Sequence, residues 1–467
     1  MTKLTPNASY SLAIELSYPN QPGMLAQITS AIAQAGGNLG DILLESQTLN
    51  LIQRRLIVDA YSSEQGEAIV QALRGIPEVK ILTVCDRTFE LHRGGKIRIQ
   101  SRIPVKSQSD LAMAYTPGVG RVCRSIAQNP ETVYSLTIKA NTVAVVTDGS
   151  AVLGLGNLGA AGALPVMEGK ALLFKEFADI DAFPICLDTQ NPEEIITAVK
   201  QIAPVFGGIN LEDISAPRCF EIEQRLKQAL DIPVFHDDQH GTAIVVSAAL
   251  LNALSLVKKA LAEVKIVING AGAAGIAIGR LLKQAGANPD QIILCDSKGI
   301  ISSQRDHLST EKQEFAVKAN GSLADAMKNA DIFIGVSVPG IVTPEMVSSM
   351  AVEPIIMAMS NPIPEIQPEL VADQVAVMAT GRSDYPNQIN NVLAFPGIFR
   401  GALNCRASGI TVEMCLEAAR SIASLISPEE LNPNYIIPSV FDERVVTAVT
   451  EAVEKTATKE GITLFKR

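Results

Sequence analysis

The feature that most constrains the fold is a glycine-rich segment, KIVINGAGAAGIAIGRLLKQAG, which runs from residue 265 to 286. An apolar strand, KIVIN, leads into Gly270-Ala271-Gly272-Ala273-Ala274-Gly275, and a helical pattern follows at once. The first glycine permits a tight turn, the second lets the backbone approach a pyrophosphate, and the third allows the helix to pack closely on the strand. The segment therefore predicts a doubly wound Rossmann domain that binds a dinucleotide at a helix N-terminus.

The next predicted strand, QIILCD, ends at Asp296, about 20 residues beyond the glycines, which is the usual place for a ribose-binding acid. Asp296 can accept hydrogen bonds from the ribose hydroxyls, which favours NAD. Lys298 can pair with a 2′-phosphate, which favours NADP, and the residues leave this choice open. Later strands in DIFIGVSVPG, PIIMAMSNP and VAVMATG place Asn361 at the ligand-facing edge of the sheet.

The rest of the chain divides into recognisable segments. Residues 9–88 predict a separate unit with the element order βαββαβ, which is typical of a ferredoxin-like module. Residues 89–235 mix short strands and helices, which predicts an α/β domain, with GLGNLGAAG as a glycine-rich loop. Residues 236–445 hold the dinucleotide domain, and residues 446–467 predict a C-terminal helix.

Two pairs of adjacent acids are candidate metal ligands: Asp237 and Asp238 in VFHDDQHGT, and Glu212 and Asp213 in NLEDIS. Adjacent carboxylates repel each other, so burying them costs free energy unless a cation neutralises them. Each pair follows a short apolar stretch, so both can lie at strand ends, where converging carboxylates suit Mg²⁺ or Mn²⁺.

Two alternatives remain for this acidic region. One is a zinc site that includes His236 and His240, although no further histidine or cysteine lies nearby in sequence. The other is that Asp237 and Asp238 only cap the helix TAIVVSAALLNAL.

Other side chains are candidates for acid–base chemistry and substrate binding. Tyr115, in AYTPGVG, is a phenol beside a Pro-Gly turn. Lys170, in MEGKALLF, precedes an apolar helical face, where loss of solvent would lower its pKa, as a general base requires. By residue type alone, a loop tyrosine and a surface lysine are the plainer interpretations. Asn390 and Asn391, in QINNVLAFPG, can donate to a carboxylate.

The composition indicates which binding partners and which cellular compartment to expect. The net charge of −10, the absence of Trp and an aromatic content of 4% argue against nucleic-acid and anionic-membrane binding. The seven cysteines are scattered without a Cys-x-x-Cys pair, which is typical of a reducing compartment. The first residues lack a signal-type apolar run, and the longest apolar run, residues 243–257, is too short to span a bilayer. We expect a cytoplasmic protein with no nucleic-acid or membrane partner.

Several ordered motifs between residues 105 and 445 resemble those of a malic enzyme of the small bacterial type. They are SDLAMAYTPGVG, TDGSAVLGLGNLG, PVMEGKALLF, NLEDISAPRCFEIE, PVFHDDQHGTA, NGAGAAG, CDSKGI, SNPIPE and QINNVLAFPGIFRGAL. The N-terminal unit resembles an ACT domain in its segments Asn20-Gln21-Pro22-Gly23-Met24-Leu25 and Gly37-Asn38-Leu39. The resemblance implies oxidative decarboxylation of L-malate to pyruvate and CO₂ with NAD or NADP and Mg²⁺ or Mn²⁺. It also implies a homodimer or homotetramer, with a small-molecule effector as a candidate ligand of the ACT module.

The same resemblance implies roles for individual residues. The metal ligands would be Glu212, Asp213 and Asp238, with Asp237 in support. The general base would be Lys170, the general acid Tyr115, the substrate-binding residues Asn361 and Asn391, and the cofactor-binding residues Gly270, Ala271, Gly272, Ala273, Ala274, Gly275, Asp296 and Lys298.

One position departs from the family pattern. Where the larger eukaryotic enzymes carry a substrate-binding arginine after TDGE, this chain has Ala151. Another group must therefore bind that carboxylate, and the candidates are Ser150, an asparagine and the metal. Two other functions are compatible with the motifs: an ACT-regulated Rossmann amino-acid dehydrogenase, which would not need the acidic pairs, and a nucleotide-binding regulatory protein without turnover.

Overall fold

The structure, a computed structural model, describes residues 5–464 and divides after Arg98 into two compact units. The strands are β1 (Asn7–Pro19), β2 (Asn38–Gln47), β3 (Leu51–Ala60), β4 (Lys80–Asp86), β5 (Thr142–Thr147), β6 (Asp181–Cys186), β7 (Gly208–Leu211), β8 (Val234–His236), β9 (Ile266–Asn269), β10 (Ile292–Asp296), β11 (Gly299–Ile300), β12 (Ile332–Gly335), β13 (Ile355–Ala358) and β14 (Val377–Thr380).

The α-helices complete the framework of the described chain. They are α1 (Met24–Gln34), α2 (Ser63–Arg74), α3 (Arg87–His92), α4 (Gln108–Ala114), α5 (Val119–Gln128), α6 (Val133–Leu136), α7 (Gly159–Ala178), α8 (Pro192–Ile202), α9 (Arg218–Ala229), α10 (Asp237–Val257), α11 (Ala273–Gln284), α12 (Thr310–Gln313), α13 (Leu323–Met327), α14 (Pro344–Ser348), α15 (Phe395–Cys405), α16 (Val412–Ala423) and α17 (Arg444–Glu460).

The first unit is a four-stranded antiparallel sheet with two longer helices. The order along the chain is β1, α1, β2, β3, α2, β4, and the strands lie side by side as β2-β3-β1-β4. Period-2 alternation buries Ile14, Leu16 and Tyr18 of β1. Ser62 is the N-cap of α2, and its side chain accepts a hydrogen bond from Gln65 N. Helix α2 buries Ile69 in the same core.

The second unit contains two sheets. The smaller sheet has the order β6-β5-β7-β8, and all its neighbouring strands are parallel. Its strands β5 and β7 are wholly buried, as expected of a parallel sheet covered on both faces. Because parallel strands present their carboxyl ends at one edge, the residues that follow β5, β7 and β8 lie at the same edge of this sheet.

The larger sheet has the order β11-β10-β9-β12-β13-β14. Strands β10, β9, β12, β13 and β14 pair in parallel, and the two-residue strand β11 pairs antiparallel with β10. This is the doubly wound order. Its switch point is at β9, because β10 and β12 lie on opposite sides of that strand. The Rossmann-type sheet predicted from the glycine motif is therefore present.

Helix α10 lies in the main hydrophobic core of the second unit. Its residues Ala243–Val246 share one buried cluster with Val143 of β5 and with Ile266 of β9. By length and composition alone α10 could cross a membrane, but 67% of its most apolar stretch is buried inside the protein. The apolar run was expected to be too short for a span; the full helix is longer than that run, and its place in the core explains why it is apolar.

Two element boundaries differ from the sequence-based expectations. The glycine-rich loop is shorter than predicted, because α7 begins at Gly159 inside GLGNLGAAG and continues through Pro165. The C-terminal helix was expected over residues 446–467 and spans Arg444–Glu460, while residues 465–467 lie outside the described chain. Helix ends are set by caps and packing that the apolar pattern does not report.

Candidate active site

Acidic side chains meet at the carboxyl edge of the smaller sheet. Asp148 follows β5, Glu212 follows β7, and Asp237 follows β8 as the first residue of α10. All three are buried. Their convergence results from the parallel strand order, because each strand delivers its last residues to the same edge.

The centre of the cluster is the buried ammonium group of Lys170 on α7. Its Nζ lies 2.5 Å from Asp237 Oδ2 and 3.0 Å from Glu212 Oε1, and it stands 4.0 Å from the centre of the Phe395 ring. Glu212 is held from its other side by Asn210, whose Nδ2 donates to Oε2 at 2.8 Å. One cation thus joins acids that come from two different strands.

The lowered pKa expected for Lys170 is wrong for this arrangement. Burial by itself lowers the pKa of the lysine, but the charges and hydrogen bonds of Asp237 and Glu212 outweigh it and raise that pKa. Without a metal ion, Lys170 is therefore an ammonium group.

The carboxyl groups around Lys170 have raised pKa values. Burial raises the pKa of Glu212 and of Asp237, even though the charge of Lys170 opposes the shift. Burial and the charge of Asp238 raise the pKa of Asp213 to about 7. Removing carboxylates from water disfavours their charged form, and one lysine does not compensate for four acids.

Asp213 carries strain in its backbone as well. Its φ is +54°, in the left-handed region that costs a non-glycine residue about 1–2 kcal/mol. In this conformation its N–H donates to Asp238 Oδ2 at 2.7 Å, while its own Oδ2 has no hydrogen-bond partner among the described residues. A strained backbone thus carries a buried carboxylate with an unpartnered oxygen, a combination that occurs at functional sites.

The chemistry of this donor set suits a hard divalent cation. Asp213 Oδ2 and Asp237 Oδ1 are buried without a partner, and repulsion among the acids would be relieved by two positive charges. As they stand, no three His, Cys, Asp or Glu side chains in residues 5–464 are grouped closely enough to hold an ion. The lysine and the Asp213 N–H occupy oxygens that a cation would take, so small side-chain movements would have to accompany binding.

The two other interpretations of the acidic stretch receive no support. His240 has its Nε2 occupied by Glu223 at 2.9 Å, whereas both ring nitrogens of His236 are buried without a hydrogen-bond partner among the described residues. One available histidine is fewer than the nitrogen and sulfur ligands that a zinc site needs. The N-cap residue of α10 is His236, which makes no side-chain cap hydrogen bond, and the two acids lie in the first helical turn. Asp237 and Asp238 are therefore not ordinary caps.

The two predicted substrate asparagines lie in different surroundings. Asn391 belongs to the acidic cluster, because its Nδ2 donates to Asp237 Oδ2 at 2.9 Å and its Oδ1 accepts from Thr242 at 3.2 Å. Asn361 is exposed just beyond β13, and its carbonyl lies opposite Gly154 in the loop that touches Asp213. Asn390 is occupied locally, since its Oδ1 accepts from Val392 N.

Arg218 is a functional candidate that the sequence reasoning missed. It begins α9, and its Nη2 donates to the buried Asp148 at 2.8 Å. Asp148 also accepts from the Ser150 hydroxyl at 2.5 Å, beside Ala151. Arg218 therefore places a guanidinium close to this loop, and its signal in the sequence was only the motif NLEDISAPR.

The glycine motif has the geometry that its spacing predicts. Gly270 has a φ of +119°, and a Cβ on it would lie 2.4 Å from the Val336 carbonyl oxygen. A Cβ on Gly275 would lie 1.7 Å from Gly270 O, whereas one on Gly272 would meet nothing within 4 Å. The open side of Gly272, at the N-terminus of α11, is where a pyrophosphate can approach.

Asp296 is already paired at the end of β10. It accepts two hydrogen bonds from Arg305, at 3.0 and 2.8 Å, and one from Lys312 at 2.8 Å, while Lys298 contributes its backbone N–H at 3.0 Å. Burial raises the pKa of Asp296, but these donors outweigh it and lower that pKa. The side chain of Lys298 is exposed, so the cations beside the acid are ones that the sequence did not indicate.

Of the two predicted catalytic residues, Tyr115 has no contact with the acidic cluster within the described chain. Its ring is 66% exposed, and its side chain forms no hydrogen bond within residues 5–464. It ends α4, next to the cis peptide Thr116–Pro117. Nothing in the described chain joins it to Lys170.

The fold and the site together define a dinucleotide-dependent oxidoreductase with a carboxylate-lined centre for a divalent cation. Family models match in the same order, with the malic enzyme N-terminal domain at residues 94–227 and the malic enzyme NAD binding domain at residues 239–458.

Known proteins are similar over most of the chain. An NAD-dependent malic enzyme of Geobacillus stearothermophilus is 55% identical over 98% of this chain and 97% of its own length. A bifunctional malic/malolactic enzyme of Bacillus subtilis is 53% identical over 82% of this chain and 95% of its own. A solved malic enzyme from Pyrococcus horikoshii is 46% identical, with a TM-score of 0.78 over 82% of this chain and 92% of that chain.

The chain belongs to the malic enzyme family. Malic enzymes carry out NAD- or NADP-dependent oxidative decarboxylation of malate, and a requirement for a divalent metal ion is general in the family. The predicted family is thereby confirmed, and the alternative of an amino-acid dehydrogenase is set aside.

Replacing Asp213 by Asn should stabilise the metal-free protein. The raised pKa of Asp213 means that its stabilising contribution is present below about pH 4 and is lost as the pH rises to about 7. In chelator at pH 8, we expect Asp213→Asn to increase the free energy of unfolding by about 1–3 kcal/mol and to flatten its pH dependence between those values. Denaturant titrations measure both effects. The exposed Asp306→Asn is the control, and equal stability of the Asp213 and Asp306 variants at pH 8 would contradict the prediction.

Two glycines of one motif should respond differently to the same added methyl group. Because a Cβ on Gly272 meets open space, Gly272→Ala should fold with unchanged stability and lose dinucleotide affinity. Because a Cβ on Gly275 strikes backbone, Gly275→Ala should lose stability as well, by more than about 2 kcal/mol. Thermal unfolding and cofactor titration separate the two effects, and similar stabilities would count against the observed helix–strand approach.

Proposed function

We propose that this chain catalyses the oxidative decarboxylation of L-malate to pyruvate and CO₂, with reduction of NAD or NADP and with Mg²⁺ or Mn²⁺. The observation that carries the proposal is the buried Lys170 clamped by Glu212 and Asp237 at the carboxyl edge of a parallel sheet. The same unit supplies the glycine motif that would bind the dinucleotide, whose nicotinamide accepts the hydride.

The metal ligands in this proposal are Glu212, Asp213 and Asp238, with Asp237 and Asn391 supporting them. The unpartnered oxygen of Asp213 and the half-exposed carboxylate of Asp238 support this assignment. A divalent cation bound there supports negative charge on the C2 oxygen of malate, during both hydride transfer and decarboxylation.

Lys170 takes the proton of the C2 hydroxyl in this mechanism. The pKa of Lys170 is high because Glu212 and Asp237 face it with negative charge. Neutralising those carboxylates removes the cause, so that burial, which lowers the pKa of a lysine, prevails and leaves a neutral amine. A divalent cation on these carboxylates would act in this direction, and a neutral Lys170 is the form that can accept the hydroxyl proton.

Substrate binding falls to Arg218, Asn361 and Asn391. Arg218 lies beside Ser150 and Asp148, and a guanidinium can hold a carboxylate with two hydrogen bonds. We assign it the substrate carboxylate that the missing arginine at position 151 would have bound. Asn391 lies against the acidic cluster, where its amide donates to Asp237. When Asp237 turns to support the metal ligands, that amide is released and can donate to the second carboxylate of malate.

A turnover assay with L-malate tests the proposed function. Reduced cofactor and pyruvate should form in equal amounts, with NAD and with NADP tested separately, in Mn²⁺ and not in chelator. Lys170→Ala should lower kcat by about 10²–10⁴-fold with a smaller change in KM. Folded protein that binds a dinucleotide but turns over malate with neither cofactor would support the regulatory alternative instead.

Arg218→Ala should weaken malate binding more than it slows chemistry. Loss of a charge-assisted pair predicts a KM for malate about 10–100-fold higher, with KM for the dinucleotide unchanged. Arg218→Lys should recover only part, because an ammonium cannot make the two-pronged contact. The control is Arg225→Ala, on the exposed side of the same helix. An unchanged KM in Arg218→Ala would remove this assignment.

The N-terminal unit is proposed to be an ACT module with a regulatory role. Its element order βαββαβ and its sheet order β2-β3-β1-β4 support this assignment. We further propose a substrate domain over residues 89–235 and a cofactor domain over residues 236–445, an assignment supported by the two family matches. We also propose a cytoplasmic location, which the seven free cysteines support.

Deleting residues 1–98 should leave the malate chemistry intact. The second unit has its own core and all the proposed site residues, so the shortened chain should fold and retain kcat within about threefold. Changes in assembly or in the response to added amino acids are expected instead. Complete loss of folded protein would contradict the independence of the two units.

A further inference from the structure

We propose that Glu223 is a positioning residue for the metal site, because it holds the first turn of α10 in the orientation that directs Asp237 and Asp238 to the acidic cluster. This inference deepens the proposed function and rests on it, since Asp238 is one of the proposed metal ligands. Glu223 lies on α9 and is buried, with 5% exposure. A buried glutamate outside the reacting centre requires a physical reason, because removing a carboxylate from water is costly.

One carboxylate joins α9 to the start of α10. Glu223 Oε1 accepts from the backbone N–H of His236 at 3.1 Å and from His240 Nε2 at 2.9 Å. Its Oε2 accepts from Gln239 Nε2 at 3.3 Å, and Lys227, one turn further along α9, donates to Oε1 at 2.9 Å. A buried polar network whose members are all paired makes the elements that it joins rigid.

Glu223 is ionised in these surroundings. Burial raises the pKa of its carboxyl group, but the charges of His240 and Lys227 outweigh burial and lower that pKa. An ionised carboxylate is an acceptor on both oxygens, and hydrogen bonds to a charged group are stronger than those between neutral groups. The contact between α9 and α10 is therefore made by charge-assisted hydrogen bonds.

The residues that Glu223 holds lie on both sides of the two acids in sequence. Residues 236, 239 and 240 share one face of the first turn, because positions three and four apart are neighbours on a helix. Asp237 and Asp238 lie between them and direct their carboxylates to Lys170 and to the backbone of Asp213. Holding one face of the turn therefore fixes the direction of the carboxylates on the other face.

Glu223 also supplies a contact that α10 lacks among its own residues. The N-cap residue, His236, makes no side-chain cap hydrogen bond. In a capping box, a glutamate of the first turn accepts the backbone N–H of the N-cap residue. Here Glu223 accepts that N–H from another helix. The start of α10 is thereby anchored to α9.

The acids have little freedom to adjust within the turn. A Cβ on Gly241 would lie 2.0 Å from Asp237 Oδ1, so this carboxylate lies directly against the next turn of its own helix. A displacement of the backbone would carry the carboxylates with it. Loss of a contact that orients metal ligands costs about 10–100-fold in metal affinity. We expect a loss of this size when the contacts of Glu223 are removed.

Mn²⁺ binding without substrate tests this role. The full-length wild-type protein and Glu223→Gln are titrated with Mn²⁺ in the absence of malate, and free Mn²⁺ is measured by electron paramagnetic resonance. Glu223→Gln keeps the size of the side chain but loses its charge and one acceptor, so the Kd for Mn²⁺ should rise about 10-fold. The dinucleotide affinity should be unchanged. An unchanged Kd for Mn²⁺ in folded Glu223→Gln overturns the inference.

The matched control is Glu221→Gln. Glu221 lies two residues earlier on α9, is exposed and pairs with Arg225. The same change of charge at this position should leave the Kd for Mn²⁺ at the wild-type value. An equal rise in both variants would show that any lost charge on α9 weakens cation binding, and it would overturn the positioning role.

Two variants of His240 separate position from charge. His240→Ala removes a donor to Glu223 and no negative charge, so a field effect alone would leave Mn²⁺ binding unchanged or stronger. Positioning predicts a Kd about 5–10-fold higher, whereas His240→Gln, whose amide can still donate, should stay within about threefold of wild type. Equal Kd values for wild type and His240→Ala overturn the inference. The His240 side chain is 29% exposed, so these variants decide the question if Glu223→Gln does not fold.

Turnover supplies a second readout. At saturating Mn²⁺ the kcat of Glu223→Gln should return to within about threefold of wild type, because a positioning residue does not touch the reacting atoms. A kcat that stays low at saturating Mn²⁺ overturns a positioning role. Failure of the proposed function has a different signature: wild-type protein that binds Mn²⁺ and turns over no malate rejects that function, while the Mn²⁺ titrations still decide the role of Glu223.

Discussion

The site depends on one buried cation between buried acids. Lys170 compensates for Glu212 and Asp237, which come from different strands, and without it two carboxylates would be buried uncompensated beside Asp213 and Asp238. Breaking a buried pair by removal of one partner is expensive, about 3–5 kcal/mol. The sheet edge, the start of α10 and the middle of α7 are therefore tied together by electrostatics rather than by apolar packing alone.

The cluster is also held in an unfavourable state, which suits its function. Four acids surround one lysine, so the negative charge is not fully compensated. In addition, Asp213 has a left-handed backbone conformation, and two carboxylate oxygens are buried without hydrogen-bond partners among the described residues. A surrounding core of fully buried strands and α10 supplies the stability that tolerates this strain. A divalent cation held by these acids would relieve the repulsion among them.

Local signals predicted much of the fold. The glycine motif and the apolar strands of the Rossmann sheet were recognisable because their requirements, positive φ at Gly270 and close packing at Gly275, act within a few residues. Helix ends were less accurate: α7 begins earlier and the last helix ends sooner than the apolar pattern suggested. Those ends depend on caps and neighbours that periodicity does not contain.

Sequence by itself determined the family, the order of the elements and the chemical types present in the acidic segments. Only the tertiary structure decided how those groups act on one another. The pKa of Lys170 rises rather than falls because its partner Asp237 lies 67 residues away, and Asp296 is paired by Arg305 and Lys312, which no motif indicated. Coulomb energy depends on distance in space, and the fold, not the spacing along the chain, sets that distance.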